Sequence, residues 1–254
     1  MKKYALLFTL FAVIKTFSQA PVVTSFNPSS GAVGSTVIVT GNNFSSIPAN
    51  NYVFFGAVKA FVTAATSSQL NVVVPVSATY SPITVTTNGL TGYSNLPFVV
   101  TFSGGTNITP QNYSSKIDST TDLHPNGVAA ADFDGDGKPD LATPNNYSKI
   151  GYPASVSVLR NTGNKGYISF APKMDIPTGT LTFAIAAGDL NGDGKPDLVS
   201  SSIVDKTISI FKNSSTIGSI SFAPKLDYIT DDNPFSISIN DIDGDGKPDI
   251  SVAN

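Results

Sequence analysis

Between residues 21 and 102, apolar and polar side chains alternate with a period near two. The runs Thr36–Thr40, Tyr52–Phe55, Leu70–Val74, Ile83–Thr86 and Phe98–Thr101 are four or five residues long and rich in Val, Ile, Phe and Thr. That pattern belongs to half-buried strands, since an amphipathic helix would repeat every 3.6 residues. Turn-forming clusters separate the runs: Asn27-Pro28-Ser29-Ser30-Gly31, Gly41-Asn42-Asn43 and Thr87-Asn88-Gly89. Short strands with regular turns predict a small antiparallel β-sandwich over residues 21–102. Residues 103–115 lack periodicity and read as a linker.

The second half, residues 116–254, is also strand-like, but its pattern repeats. Apolar segments Gly127–Ala131, Phe183–Ala187 and Phe235–Ile239 each lead into a nine-residue acidic segment. Another follows each one: Leu141–Thr143, Leu198–Ser200 and Ile250–Val252. The acidic segments span 132–140, 189–197 and 241–249, so their starts are 57 and 52 residues apart. The likeness continues beyond them. Ser155–Asn161 parallels Thr207–Asn213, and Ile168–Asp175 parallels Ile220–Asp227. Each unit thus reads as strand, acidic loop, then three more strands, the Phe-Ala-Pro-Lys runs included. A four-stranded unit of this length is the signature of a β-propeller blade.

Composition sharpens this picture. There is no cysteine and one histidine, and all 18 acids are Asp. Disulfides, thiolate metal sites and cysteine nucleophiles are thereby excluded. Residues 21–110 contain one charged side chain, Lys59. Residues 116–254 hold every Asp against 11 Lys or Arg, a net charge of −7. Eleven of those Asp lie in the acidic segments, where divalent cations would offset most of the excess. No basic patch points to nucleic acid.

The spacing within the segments carries the chemistry. Positions 1, 3, 5 and 9 supply side-chain oxygens: Asp132, Asp134, Asp136 and Asp140; Asp189, Asn191, Asp193 and Asp197; Asp241, Asp243, Asp245 and Asp249. Position 7 is Lys138, Lys195 or Lys247; its carbonyl is the expected fifth ligand, with the ammonium pointing away. Hard oxygen donors on a flexible loop suit Ca²⁺ better than Mg²⁺, which demands stricter octahedral geometry. Up to three Ca²⁺ sites are expected. Glycine at position 6 lets the loop turn, and proline at position 8 suits strand entry. An EF-hand begins the same way but needs a Glu at position 12 and flanking helices. Position 12 is Thr143, Ser200 or Val252, so the loops are expected to join strands.

Two stretches resemble known families. Pro28-Ser29-Ser30-Gly31, Gly34, Val37–Val39, Gly41, Asn43-Phe44 and Val53–Gly56 resemble the immunoglobulin-like IPT/TIG domain. Gly31, Gly34 and Gly41 are expected to take positive φ at tight connections. The resemblance implies a spacer or recognition module without catalytic residues. The three acidic loops, the Pro-Asp-Leu/Ile after each and the Phe-Ala-Pro-Lys runs resemble FG-GAP/VCBS repeats, the integrin α-type propeller. That likeness implies calcium in hairpin loops on one face and ligand recognition by other loops. A propeller closes with four to eight blades, whereas about two and a half are legible here, so the chain reads as the N-terminal part of a longer protein.

Met1-Lys2-Lys3, the apolar run Tyr4–Ile14 and Ser18-Gln19-Ala20 have the order of an export signal, residues 1–20. The apolar run is too short to span a bilayer, and no second apolar stretch reaches membrane length. His124 has Leu181 and Asn233 as its counterparts eight residues before the other loops, so the histidine itself does not repeat. No nucleophile–base constellation or phosphate-cradling loop is evident. The expectation is an all-β, secreted, calcium-binding and non-catalytic recognition protein of adhesion type, with an unidentified protein or glycan partner. The competing expectation is the accessory region of an exported enzyme whose catalytic domain lies beyond residue 254.

Overall fold

The computed structural model describes residues 19–102, 115–146, 154–164, 166–243 and 245–254. The export-signal segment and the linker fall almost wholly outside the described residues. Among the described residues, helix accounts for 1% and strand for 52%, so the fold is all-β.

The N-terminal half has eight strands: β1 (Val22–Asn27), β2 (Ser30–Ala32), β3 (Thr36–Asn42), β4 (Asn51–Phe55), β5 (Val58–Ala65), β6 (Gln69–Val73), β7 (Ser81–Thr87) and β8 (Leu90–Thr101). Their order is β1-β3-β6-β5-β4-β7-β8-β2. Strand β5 closes the sandwich. Its first part, Val58 to Ala60, pairs with β4; its second, Phe61 to Ala65, pairs with β6 across a register shift. One strand therefore serves both layers, as corners of β-sandwiches often require.

Alternation explains the core. Val37 and Val39 of β3, Val53 and Phe55 of β4, Leu70 and Val72 of β6, and Ile83 and Val85 of β7 all point inward and are fully buried. Phe98 packs edge-on against Phe55, with ring centroids 5.0 Å apart. The Asn88-Gly89 hairpin has φ of 55° and 77°, the type I′ geometry that matches strand twist. Of the three glycines expected at positive φ, only Gly34 has it, at 84°. Gly31 and Gly41 are needed for space instead. A β-carbon on Gly41 would collide with the Val22 carbonyl, and one on Gly31 would collide with Ser35 Oγ.

The C-terminal half forms blades. The first contains β9 (Ala129–Ala131), β10 (Asp140–Asn145), β11 (Ser155–Leu159) and β12 (Met174–Pro177). The second contains β13 (Thr182–Gly188), β14 (Asp197–Ser202), β15 (Thr207–Phe211) and β16 (Leu226–Ile229). Each is a four-stranded antiparallel meander, and β17 (Ser236–Asn240) pairs with β18 (Asp249–Ala253) as a third, two-stranded sheet. The inner strands β9, β13 and β17 lie side by side. The Phe-Ala-Pro-Lys runs are not strands. Phe170 and Phe222 each make a lone bridge, to Asn161 and Asn213, and the fourth strands begin only at Met174 and Leu226. Pro172 and Pro224 have no N–H to give a ladder.

Candidate metal centre

Each acidic segment joins two antiparallel strands, in one register. The residue before the loop pairs with its ninth residue: Ala131 with Asp140, Gly188 with Asp197, Asn240 with Asp249. The position-6 glycines, Gly137, Gly194 and Gly246, have φ of 86°, 81° and 84°, a left-handed turn closed to most side chains.

The chain folds the first loop around its own carboxylates. Asp132 Oδ2 accepts the Gly137 N–H at 2.9 Å, Asp134 Oδ1 that of Asp136 at 3.1 Å, and Asp136 Oδ1 that of Lys138 at 2.9 Å. Oxygens of Asp132, Asp134 and Asp136 lie within 4.8 Å of one another. Asp132 and Asp134 are both 4% exposed. Asp132 Oδ1 is buried with no hydrogen-bond partner. A carboxylate oxygen left so costs free energy unless a cation meets it. The loop thus fits a hard cation on its own geometry.

The ninth residue does a different job. Asp140 is fully buried; it accepts the Phe133 N–H on Oδ2 at 2.9 Å and the Asn161 N–H on Oδ1 at 2.7 Å. Asp197 repeats this with Leu190 at 3.0 Å and Asn213 at 2.8 Å. Each ninth carboxylate therefore ties the loop to the end of its blade's third strand. In the third sheet Asp249 accepts Ile242 N–H at 2.8 Å and joins the oxygens of Asp241 and Asp243 in a second cluster within 4.8 Å.

Asn161 and Asn213 were not apparent as site residues in the sequence, although both close the parallel runs Ser155–Asn161 and Thr207–Asn213. Asn161 Nδ2 donates to the Pro139 carbonyl at 3.0 Å. Asn213 Nδ2 donates to Pro196 at 2.8 Å and, across blades, to Phe133 at 2.9 Å. Gly218 N–H reaches Asp134 Oδ2 at 3.0 Å, and Phe222 packs on Phe133 at 5.6 Å. The second blade thus covers the first loop.

Burial raises the proton affinity of these acids, since it disfavours the charged form. Asp140 is pushed up to about 7, and Asp132 and Asp197 to about 6, in each case chiefly by desolvation. Neighbouring carboxylates add to the effect: Asp136 and Asp134 on Asp132, Asp134 and Asp132 on Asp140. Asp189 moves up for the same first reason.

The lysines correct one expectation. Lys138 Nζ turns back to Asp136 Oδ2 at 3.3 Å and Lys247 Nζ to Asp245 Oδ2 at 3.5 Å, drawn by the carboxylates beside them. Only Lys195 points off its loop, to the Ser215 carbonyl at 2.7 Å. His124 also reads differently in three dimensions. His124, Leu181 and Asn233 all have positive φ, at 56°, 60° and 22°. The backbone at this position repeats although the side chain does not. It lies at the far end of the blade from the acidic loop, where Asn146 N–H donates to the His124 carbonyl at 2.9 Å.

Comparison with family models agrees with this architecture. Residues 21–102 match the IPT/TIG domain, 124–169 the FG-GAP repeat and 149–200 an FG-GAP-like repeat. The chain carries an IPT/TIG domain at residues 21–102, and FG-GAP repeats follow it between residues 124 and 200. Domains of these kinds are typically non-catalytic. No curated protein matches the chain. Among solved structures it is similar to an auxiliary nutrient binding protein from Bacteroides thetaiotaomicron, at 15% identity over 93% of this chain and 65% of that one, with a TM-score of 0.32. A protein from the same organism, provisionally named a phosphatase, shares 14% identity over 87% of this chain and 64% of that one, with a TM-score of 0.33. An auxiliary nutrient binding protein from Bacteroides ovatus shares 13% over 93% and 71%, with a TM-score of 0.32. This chain therefore spans 65% and 64% of the length of the first two. Among the described residues, no helix is long and apolar enough to cross a membrane.

Proposed function

We propose that this chain is the secreted, non-catalytic part of a calcium-dependent recognition protein, in which Ca²⁺ holds the FG-GAP blades rigid and the surface loops meet a protein or glycan partner. The buried, unpartnered Asp132 Oδ1 inside a three-carboxylate cluster carries this reading. Asp132, Asp134 and Asp136, the Lys138 carbonyl and Asp140 form the first donor set. Asp241, Asp243, Asp245, the Lys247 carbonyl and Asp249 form the third. Bound there, the ion supplies charge compensation and cross-links the two strands that each loop joins. The side chains themselves pin the loop: Asp140 and Asp197 hold strand ends, and Asn161 and Asn213 hold the carbonyls before them.

Export fits the residues 1–20 signal pattern and the plentiful calcium outside cells. Extracellular modules bind Ca²⁺ at about 10⁻⁴ to 10⁻³ M. Calorimetric titration with CaCl₂, with MgCl₂ as the control, tests the proposal. Saturable binding in that range, with magnesium much weaker, supports it; no calcium binding at several millimolar refutes it.

A further inference from the structure

We infer that Lys59 of the IPT/TIG domain is the resident cation of the second acidic loop, so that this loop fastens the two halves of the chain together while calcium goes to the first and third. The inference rests on the calcium reading above.

The second loop differs from the first and third in three respects, and from the first in a fourth. It has Asn191 where they have Asp134 and Asp243, and so one carboxylate fewer. Its first aspartate has no spare oxygen. Asp189 Oδ1 accepts the N–H of Gly192 at 2.8 Å and of Asp193 at 3.1 Å, and Oδ2 accepts that of Gly194 at 2.8 Å. The equivalent Asp132 keeps one buried oxygen open. Asn191 Nδ2 donates to Asp197 Oδ2 at 3.2 Å, a bond inside the loop that the aspartates at this position in the other loops, having no N–H, cannot make. Among the described residues, clusters of three carboxylate oxygens form at the first and third loops and not at the second.

The third loop also meets the sandwich, its Gly246 carbonyl accepting the Thr91 N–H; what the second loop has instead is a neighbouring ammonium. Lys59, the single charge in residues 21–110, sits on β5 with Nζ 4.1 Å above the centre of the Tyr52 ring. This pair rests on the loop's position-6 glycine. A β-carbon on Gly194 would lie 2.9 Å from Lys59 Nζ and 3.0 Å from the Tyr52 ring. Burial, with a smaller push from Lys195, holds the Lys59 ammonium below the usual lysine range, and Asp189, Asp193 and Asp132 offset that in part. The hairpin of the sandwich closes the same contact, since a β-carbon on Gly192 would be 2.7 Å from Gly89 Cα. Cations from the blades do not explain the difference, because every loop has one. Arg160 lies 4.0 Å from Asp134, Lys138 3.3 Å from Asp136, Lys212 3.7 Å from Asp193 and Lys247 3.5 Å from Asp245. An ammonium held over an aromatic face and packed against the loop's position-6 glycine raises the electrostatic cost of bringing a divalent ion to that loop.

Counting bound calcium on the whole chain, by equilibrium dialysis with radiolabelled Ca²⁺ at saturation, tests this. The expected count is two for the wild type, three for Lys59→Met and two for Lys59→Arg, which keeps the charge. Three in the wild type overturns the inference and leaves the calcium reading standing. Two in a folded Lys59→Met chain overturns it equally. No bound calcium in any of the three removes the calcium reading itself, and this inference with it. Should Lys59→Met not fold, the wild-type count decides alone.

Discussion

The sandwich and the blades are both all-β, yet they are stabilised by different physics. The sandwich buries a continuous apolar cluster, from Val23 to Phe98, and few polar groups. One of them, Asn51, is well satisfied: its amide donates to the Ser45 and Ile47 carbonyls, and its oxygen accepts from Ser45 and Thr87. The blades have a smaller apolar cluster around Phe133, Val156, Leu198 and Phe211. They bury Asp132, Asp134, Asp140, Asn145, Asp197, Ser200, Ser201 and Asn213 alongside it. A core of the first kind follows from removing apolar surface from water. A core of the second kind stands only while its polar groups are matched, so its stability depends on ions and protons in the medium. Ionic conditions should therefore act on one half and mutation of apolar residues on the other.

The largest expected effect comes from chelation. With calcium at 100-fold over its Kd, each site contributes about 2.7 kcal/mol to the folded blades. Scanning calorimetry with and without EDTA should show the blade transition drop by several degrees while the sandwich transition stays. Equal drops in both transitions would break the contrast. Phe55→Ala should do the reverse, costing about 3–5 kcal/mol in the sandwich with calcium binding by the blades retained. Loss of calcium binding in that variant would show that the halves fold as one unit.

Asn213→Ala comes next. It removes the amide that ties two carbonyls in two blades, and leaving buried acceptors unmet costs about 1–3 kcal/mol. Denaturant titration in calcium should place the loss in the blade transition. Proton linkage sharpens the contrast further. In chelator, Asp140 near 7 and Asp132 and Asp197 near 6 bind protons more tightly folded than unfolded. A raised folded pKa gives stability that is present at low pH and lost as pH climbs through it. The metal-free blades should thus melt at lower temperature at pH 8 than at pH 5, and saturating calcium should reverse or flatten the trend. A melting point that rises with pH in chelator would contradict the burial of these acids. The smallest effect is expected at Leu181, a bulky residue at φ 60°. Leu181→Gly removes left-handed strain worth about 1–2 kcal/mol, partly offset by the freer unfolded chain, and should raise blade stability slightly in thermal melts.

Legibility in the sequence followed the same divide. In the sandwich, the period-two alternation revealed β3, β4, β6, β7 and the end of β8, because each inward side chain there is apolar. It did not reveal β5, whose burial alternates but whose hydropathy does not, because Phe61 stands on the outward face at 72% exposure. In the blades, repetition rather than hydropathy was informative: the loops, their register and their flanking strands were readable because they recur. The two-handed role of Asp140 and Asp197 was not readable. It depends on Asn161 and Asn213, distant in sequence and brought close by strand pairing. The left-handed backbone shared by His124, Leu181 and Asn233 was hidden for the opposite reason, because three unlike side chains occupy one conformation.

The common register of the three loops has an evolutionary consequence. Because the residue before each loop always pairs with its ninth residue, a copied unit can be spliced in without re-pairing any existing strand. Lengthening such a chain by duplication is structurally undemanding, but each copy imports three or four acids packed into one turn. Every added blade therefore brings an obligation to find positive charge, from the surroundings or from elsewhere in the protein. In the assignment inferred above, Asn191 and Lys59 release one such loop from the first supplier and hand it to the second.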